Sequence, residues 1–493
     1  MDEKQRLTAD EACEEVVASP RKSPSPAKKA VIACFSFWLL SLTFAYHPVK
    51  SCYHRMRNPG TAPLTVEDRA HAILSQTPLI GTSPAQHSHA SRCLLTLRAD
   101  GHNDLPILVR AYFNNHIYGK NFTEPFENGG LVGHVDLPRL RKGQNGGAFW
   151  SVYTPCPANG SDFSDENYAE SIQWTLDQID VITRIKDAYP KDFSPNLNSG
   201  AALAAFEKWQ LISPLGVEGL HQIGNSVANL RRYHALGVRY STLTHNCHNK
   251  FADAALLESP LRKAEPLWHG VSPAGRRLIH EMNRIGLIID ISHTSEETQT
   301  DVLGGKDWEG SKAPVIYSHS SAFSVCPHPR NVKDSVLELV KQRNAVVLVN
   351  FAPDFISCVE SGNDNGLPTY VPGNATLAQV VRHVLHIGNL IGFDHVGFGS
   401  DFDGIGSVPK GLEDVSKYPD LVAELLRQGV SDEDAAKVVG GNVLRVWKEV
   451  DAVAAKLQKD GEPALEDDLP NAKYFVVFIH VQALYLVQMT VSD

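Results

Sequence analysis

The chain has no excess of positive charge. Its 46 lysines and arginines are outnumbered by 56 aspartates and glutamates, for a formal charge of −10. That balance argues against a nucleic-acid partner, which would call for a basic face. No Gly-x-Gly-x-x-Gly turn follows any of the apolar runs, so the signature of a dinucleotide-binding open sheet is missing. Long apolar stretches are scarce too. Ala30 to Tyr46, with Phe35, Phe37, Trp38, Leu39 and Leu40, is uncharged and at the low end of the roughly 17–25 residues that span a bilayer. No clear small-x-small cleavage site follows it, so it reads as an uncleaved transmembrane signal anchor (30–46), with a cleaved signal as the close alternative.

The polar residues 1–29, with a Ser-Pro-Ser-Pro stretch, read as a disordered tail. Lys4, Arg6, Arg21, Lys22, Lys28 and Lys29 precede the apolar run, and only Lys50, Arg55 and Arg57 follow it closely. That bias places the tail in the cytosol and everything after the anchor outside the cell or in a secretory lumen. Sequons at Asn121, Asn159 and Asn374 agree with that side as glycosylation acceptors. Apart from Cys93, just before the first strand, the body holds four cysteines, Cys156, Cys247, Cys326 and Cys358; they allow three pairings.

Residues 47–91 read as a polar stalk with one short amphipathic helix, Val66–Ser75. The body, 92–455, alternates strand-like runs near residues 94, 148, 211, 238, 287, 315, 345 and 396 with helix-period stretches. Those stretches include Tyr168–Ala188, Ser226–Leu236, Ser272–Ile285 and Leu377–Ile391, and a final helix is expected over Asp432–Lys456. Eight β–α repeats predict a (β/α)8 TIM-type barrel, an α/β fold. The tail, 456–493, contains an apolar run, Tyr474–Val491, broken by His480, Gln482 and Gln488. It fits a lipid-anchor signal, a second spanning segment or a tail unrelated to the fold.

Six of the runs end in a residue that binds metal or moves protons: His102 with Asp104, Glu218, His245, His293, His319 and Asp401. His102 and Asp104, two apart on extended backbone, point the same way and offer two ligands at once. An isolated His-x-Asp is more often a rim histidine bonded to a neighbouring acid. In a barrel, however, all these residues converge on the C-terminal rim. Nitrogen and oxygen ligands without thiolate suit catalytic zinc. His102, Asp104, Glu218, His293 and His319 exceed what one tetrahedral ion needs, which predicts two Zn2+ per chain with Glu218 bridging. His245 and Asp401 share the rim and could orient an oxyanion and handle a proton. Arg330, eleven residues past His319, offers a bidentate clamp for a substrate carboxylate, against the plainer reading of a solvated charge.

The heptad Asp100-Gly101-His102-Asn103-Asp104-Leu105-Pro106 resembles that of the membrane (renal) dipeptidase family of zinc peptidases. The likeness extends through Val217–Gly219, Leu243–Cys247, Ile289–His293, Tyr317–Ser321, Arg330–Val332, Gly399–Gly404 and Gly411–Ser416, in order over roughly residues 92–450. The resemblance implies that His102, Asp104 and Glu218 hold one zinc, and Glu218, His293 and His319 the other. It implies substrate contacts at His245, Arg330 and Asp401, and disulfides Cys156–Cys247 and Cys326–Cys358. It further implies a barrel, commonly dimeric, that cleaves dipeptides and tolerates a D- or dehydro-residue at the C-terminal position. The chain departs from the family at Leu220, where a second glycine is usual, and in an apparent insertion, Gly304–Lys312.

The expected function is therefore a membrane-attached, lumenal or extracellular binuclear zinc dipeptidase. Hydroxide bridging the two metals would attack the peptide carbonyl, with Glu218, His245 and Asp401 as the catalytic groups. The rival readings are a barrel amidohydrolase acting on a cyclic amide, and a catalytically silent surface protein. Arg330 favours a substrate with a free carboxylate over the first, and the complete ligand set argues against the second.

Overall fold

A computed structural model describes residues 64–75, 100–195, 198–305 and 308–467. Eight parallel strands pair in chain order: β1 (Asp100–Asn103), β2 (Ala148–Ser151), β3 (Leu215–Glu218), β4 (Val238–Thr242), β5 (Ile288–Asp290), β6 (Ile316–Tyr317), β7 (Val346–Val349) and β8 (Val396–Phe398). The two edges meet. Asn103 bridges Phe402 in parallel register, and Asp401 N donates to His102 O at 3.1 Å. This is the expected TIM-type barrel.

The connecting helices follow from the sequence. Ser164 caps Asp165–Ala188 by accepting from Asn167 N, and Thr376 caps Leu377–Ile391 through Gln379 N. Pro273–Ile285 begins with Ser272 as its cap and proline in its first turn, and stops at Gly286, whose φ of 80° is cheap only for glycine. Inside the barrel, Phe149, Tyr240, Ile288, Ile316 and Val346 form one apolar cluster with Val443, Val446, Trp447 and Val450 of the terminal helix Asn442–Lys459. Ile288, Ile316 and Val346 each open their strand, so this helix plugs the N-terminal end of the barrel and leaves the C-terminal rim free.

Four features differ from the sequence reading. Strand β1 is the polar segment Asp100–Asn103 itself, wholly buried, while the apolar run Leu94–Leu97 lies outside the described residues. Asp100 is satisfied from the loop after β8 and from the helix Tyr418–Arg427: it accepts from Ser400 N at 2.8 Å, Ser400 Oγ at 2.5 Å and Tyr418 Oη at 2.8 Å. The helix expected over Asp432–Lys456 is broken: Asp432–Ala436 and Asn442–Lys459 flank a wide turn in which Gly440 has a φ of 150°. The amphipathic helix Val66–Ser75, read as part of a stalk, buries Ala70, Ile73 and Leu74 and joins the body through Arg69–Asp432 and Glu67–Arg427. Packing also runs on to Asp467, past residue 455: its carboxylate accepts from Val227 N at 2.6 Å and Ala228 N at 3.1 Å, at the start of a helix.

The proposed anchor, 30–46, and the apolar run Tyr474–Val491 lie outside the described residues. Among the described residues no helix is long and apolar enough to cross a membrane.

Candidate active site

The strands bring the predicted residues to one rim. His102 sits on β1 with Asp104 just beyond it, and Glu218 ends β3. His245, His293, His319 and Asp401 lie within three residues of the ends of β4, β5, β6 and β8. All seven are buried. Glu218 is the centre: its Oε1 is 3.0 Å from His293 Nε2, 3.3 Å from His319 Nε2 and 3.6 Å from His102 Nε2. On the other side, His102 Nε2 is 3.0 Å from Asp104 Oδ2 and 4.0 Å from Asp401 Oδ1. The donor atoms lie within 4.8 Å of one another in three overlapping sets, His102 with Glu218 and His319, Glu218 with His245 and His293, and His102 with Asp104 and Asp401.

The hydrogen bonds around the imidazoles fix where their lone pairs point. His293 Nδ1 donates to Asn246 Oδ1 at 2.9 Å. Ser318 Oγ gives its proton to Asp290 Oδ2 at 2.6 Å and so accepts from His319 Nδ1 at 2.7 Å. Each ring thus turns an unprotonated Nε2 inward, and these two atoms are 2.9 Å apart beside a carboxylate oxygen. Three electron-rich atoms at that spacing are reconciled by a cation. The buried His102 Nε2 and Asp104 Oδ1 have no hydrogen-bond partner, as atoms reserved for a metal would. Burial pushes the Glu218 carboxyl well above its ordinary range, with Asp104 and Asp401 adding to the rise. Burial opposes charge on His102, but the carboxylates outweigh it and carry the imidazole up to about 10. The donor chemistry and the unpaired buried atoms fit a divalent-metal centre.

Backbone strain gathers at the same place. His293 and Asp401 both have a φ of 63°, and Asp403 has 69°, conformations costly for residues with a Cβ and typical of functional sites. A Cβ at Gly404 would strike Asp104 Oδ2 and come within 2.6 Å of Asp401 Oδ1, so a side chain there would displace both carboxylates.

A cavity of about 540 Å³ opens over Glu218, lined in part by Tyr153, His245, Glu258, Arg330 and Asp401. Burial drives His245 well below its ordinary pKa, with the nearby charges of His221 and Arg330 adding to it, so its ring is neutral. Arg330 is buried, stacks 5.1 Å from the Phe355 ring, and donates Nη2 to His319 O at 3.3 Å. Its Nε has no partner. Asn350 Nδ2 holds Asp401 Oδ2 at 2.9 Å.

Sequence reasoning missed the residues that aim the ligands. Tyr240 Oη is 2.7 Å from His102 Nδ1, reaching it across Gly216, where a Cβ would overlap the tyrosine ring. Asp290 accepts from Thr242 Oγ1, Ser292 N, Ser318 N and Ser318 Oγ. The -Asp290-Ile291-Ser292-His293- spacing was visible, but nothing in it marked the aspartate as a buried hub. Both disulfides implied by the resemblance are present, Cys156–Cys247 and Cys326–Cys358. The first joins the loops after β2 and β4 that carry Tyr153 and His245. Asn121, Asn159 and Asn374 are exposed.

A parallel barrel with histidine and carboxylate ligands gathered on its C-terminal rim defines a metal-dependent hydrolase. The comparisons narrow that class. Residues 94–461 match the family model described as membrane dipeptidase (peptidase family M19). The chain is 43% identical to the dipeptidase tcpJ of Claviceps purpurea over 86% of its own length and 94% of the relative's. It is 46% identical to the dipeptidase aclJ of Aspergillus oryzae over 75% of its own length and 81% of that protein's. Among solved structures, the dipeptidase AC, a metallopeptidase, superposes with a TM-score of 0.60 at 26% identity, covering 72% of this chain and 99% of that one. The probable dipeptidase PvdM of Pseudomonas aeruginosa shares the fold, with a TM-score of 0.65 at 21% identity over 79% and 99% of the two chains. The chain belongs to the membrane dipeptidase family of metallopeptidases and is a dipeptidase.

Proposed function

We propose that the protein is a binuclear zinc dipeptidase that also accepts a D- or dehydro-residue at the C-terminal position. The observation that carries this reading is the meeting of His293 Nε2, His319 Nε2 and Glu218 Oε1 within 3.3 Å of one another. In it His102, Asp104 and Glu218 hold one ion, and Glu218, His293 and His319 the other. When bound, the two ions would lower the pKa of a shared water and polarise the scissile carbonyl.

The chain's own groups do the rest. Arg330, with a free Nε and a fixed guanidinium plane, holds the terminal carboxylate. His245, kept neutral, offers an N–H to the oxyanion as the carbonyl becomes tetrahedral. Asp401, oriented by Asn350, assists proton transfer to the leaving amine. Burial of the rim keeps bulk water from competing with these contacts.

The reading includes attachment to a membrane by residues 30–46, with the barrel lumenal or extracellular. Two disulfides and three exposed sequons support that side. The resemblance favours a homodimer, which the molar mass of the detergent-solubilised protein tests directly. Metal analysis of the purified full chain, with a panel of L,L- and L,D-dipeptides, tests the activity. His102→Ala and Glu218→Ala should lose metal and hydrolysis together. Undiminished hydrolysis by metal-free protein would sink the mechanism.

A further inference from the structure

Glu258 belongs to neither ligand group nor the carboxylate clamp, yet it faces the same cavity as Glu218, His245 and Arg330. It ends a short hairpin strand, Leu256–Glu258, and its N–H donates to Asn246 O at 3.1 Å, fixing it beside the site. Its Oε2 is 3.6 Å from His245 Nδ1 and its side chain is 31% exposed. Among the described residues no lysine or arginine pairs with it, and the Cys156 backbone N–H donates to it. A carboxylate half removed from water without a cation is unfavourable by itself.

Arg330 is its complement, a buried cation with a free Nε. A chain of contacts links the two: Glu258 lies beside His245, the rings of His245, His293 and His319 follow with successive centroids 4.4 and 4.9 Å apart, and Arg330 donates to His319 O. A dipeptide zwitterion likewise carries an ammonium at one end and a carboxylate at the other, with the scissile carbonyl between them. The other acids on the wall are placed differently. Asp401 is bonded to Asn350, Asp403 pairs with His134 at 2.9 Å, and Asp354 lies in the field of Arg330, at the carboxylate end.

We propose that Glu258 binds the N-terminal ammonium of the substrate while Arg330 binds its C-terminal carboxylate, so that the pair measures out a dipeptide. A substrate lacking the ammonium, or extended beyond it, leaves Glu258 facing a group that it cannot pair with. The inference rests on the dipeptidase reading above and deepens it.

The test compares zinc-loaded full-length protein and Glu258→Gln on L-Ala-L-Ala and on propionyl-L-alanine, which differs only in lacking the amino group. Loss of one charge-assisted contact should raise KM for L-Ala-L-Ala about 10- to 100-fold. Propionyl-L-alanine hydrolysis and zinc content should not change, and Glu258→Asp should recover part of the loss. An unchanged KM for L-Ala-L-Ala, or an equal loss on both substrates, overturns the assignment and leaves the dipeptidase reading standing. Wild-type protein that cleaves no dipeptide at all overturns both.

Discussion

His293 and His319 face each other through their unprotonated Nε2 atoms, 2.9 Å apart, because each Nδ1 is committed elsewhere, to Asn246 and to Ser318. Such a pair repels unless a cation sits against it. His293→Ala and His319→Ala should therefore each release about one of two bound metals and reduce kcat/KM at least about 100-fold. Metal content and steady-state kinetics on the same preparations check this. Full metal content in either variant would contradict it.

Asp290 reaches the metal centre only through others. It fixes Ser318, which orients His319, and it ties β5 to β4 through Thr242. Asp290→Asn should weaken zinc binding about 10- to 100-fold, the usual scale for a partner that orients a ligand. Competition with a chelator measures this, and unchanged affinity would show that the orientation is held by other contacts.

The sequence revealed the barrel and its ligands for one physical reason. A parallel strand buried on both faces is apolar until it reaches the rim, so Glu218, His293 and Asp401 stand out where their runs end. The same logic failed at β1, whose buried residues Asp100, His102 and Asn103 are all polar. Hydrophobic period cannot register a strand stabilised by Ser400 and Tyr418, some 300 residues further along the chain. Asn246, Ser318 and Glu258 were equally invisible. Short polar residues near a motif look alike until folding shows which of them meets an imidazole or faces the cavity. The break at Gly440 was overlooked because the helical pattern resumes directly after it.

Arg330 should govern affinity more than turnover. Arg330→Ala should raise KM for dipeptides about 100-fold or more, and Arg330→Lys should restore only part, since an ammonium cannot reproduce a bidentate fork. A variant whose KM is unchanged and whose kcat collapses would move Arg330 from the clamp to the chemical step.

His383 gives a stability prediction away from the site. Its Nδ1 accepts from Ala322 N at 3.0 Å and its Nε2 donates to Ile356 O at 2.9 Å, so the buried ring is neutral. Burial lowers its pKa from 6.5 to about 4. The unfolded chain then takes up the proton first. Its contribution is complete above pH 6.5 and is lost as pH falls towards 4, by on the order of 3 kcal/mol. His383→Gln, which can donate and accept in the same places, should flatten that part of the curve of thermal midpoint against pH. An unaltered slope would assign the acid sensitivity to other groups.

The most direct test of the whole account is the zinc stoichiometry of the purified full-length protein, titrated back from the metal-free form while hydrolysis of L-Ala-L-Ala is followed. The account predicts that activity saturates at about two zinc ions per chain, and that Glu218→Ala, which removes the shared ligand, reaches neither the stoichiometry nor the activity. Full activity at one ion per chain, or in Glu218→Ala, would contradict it.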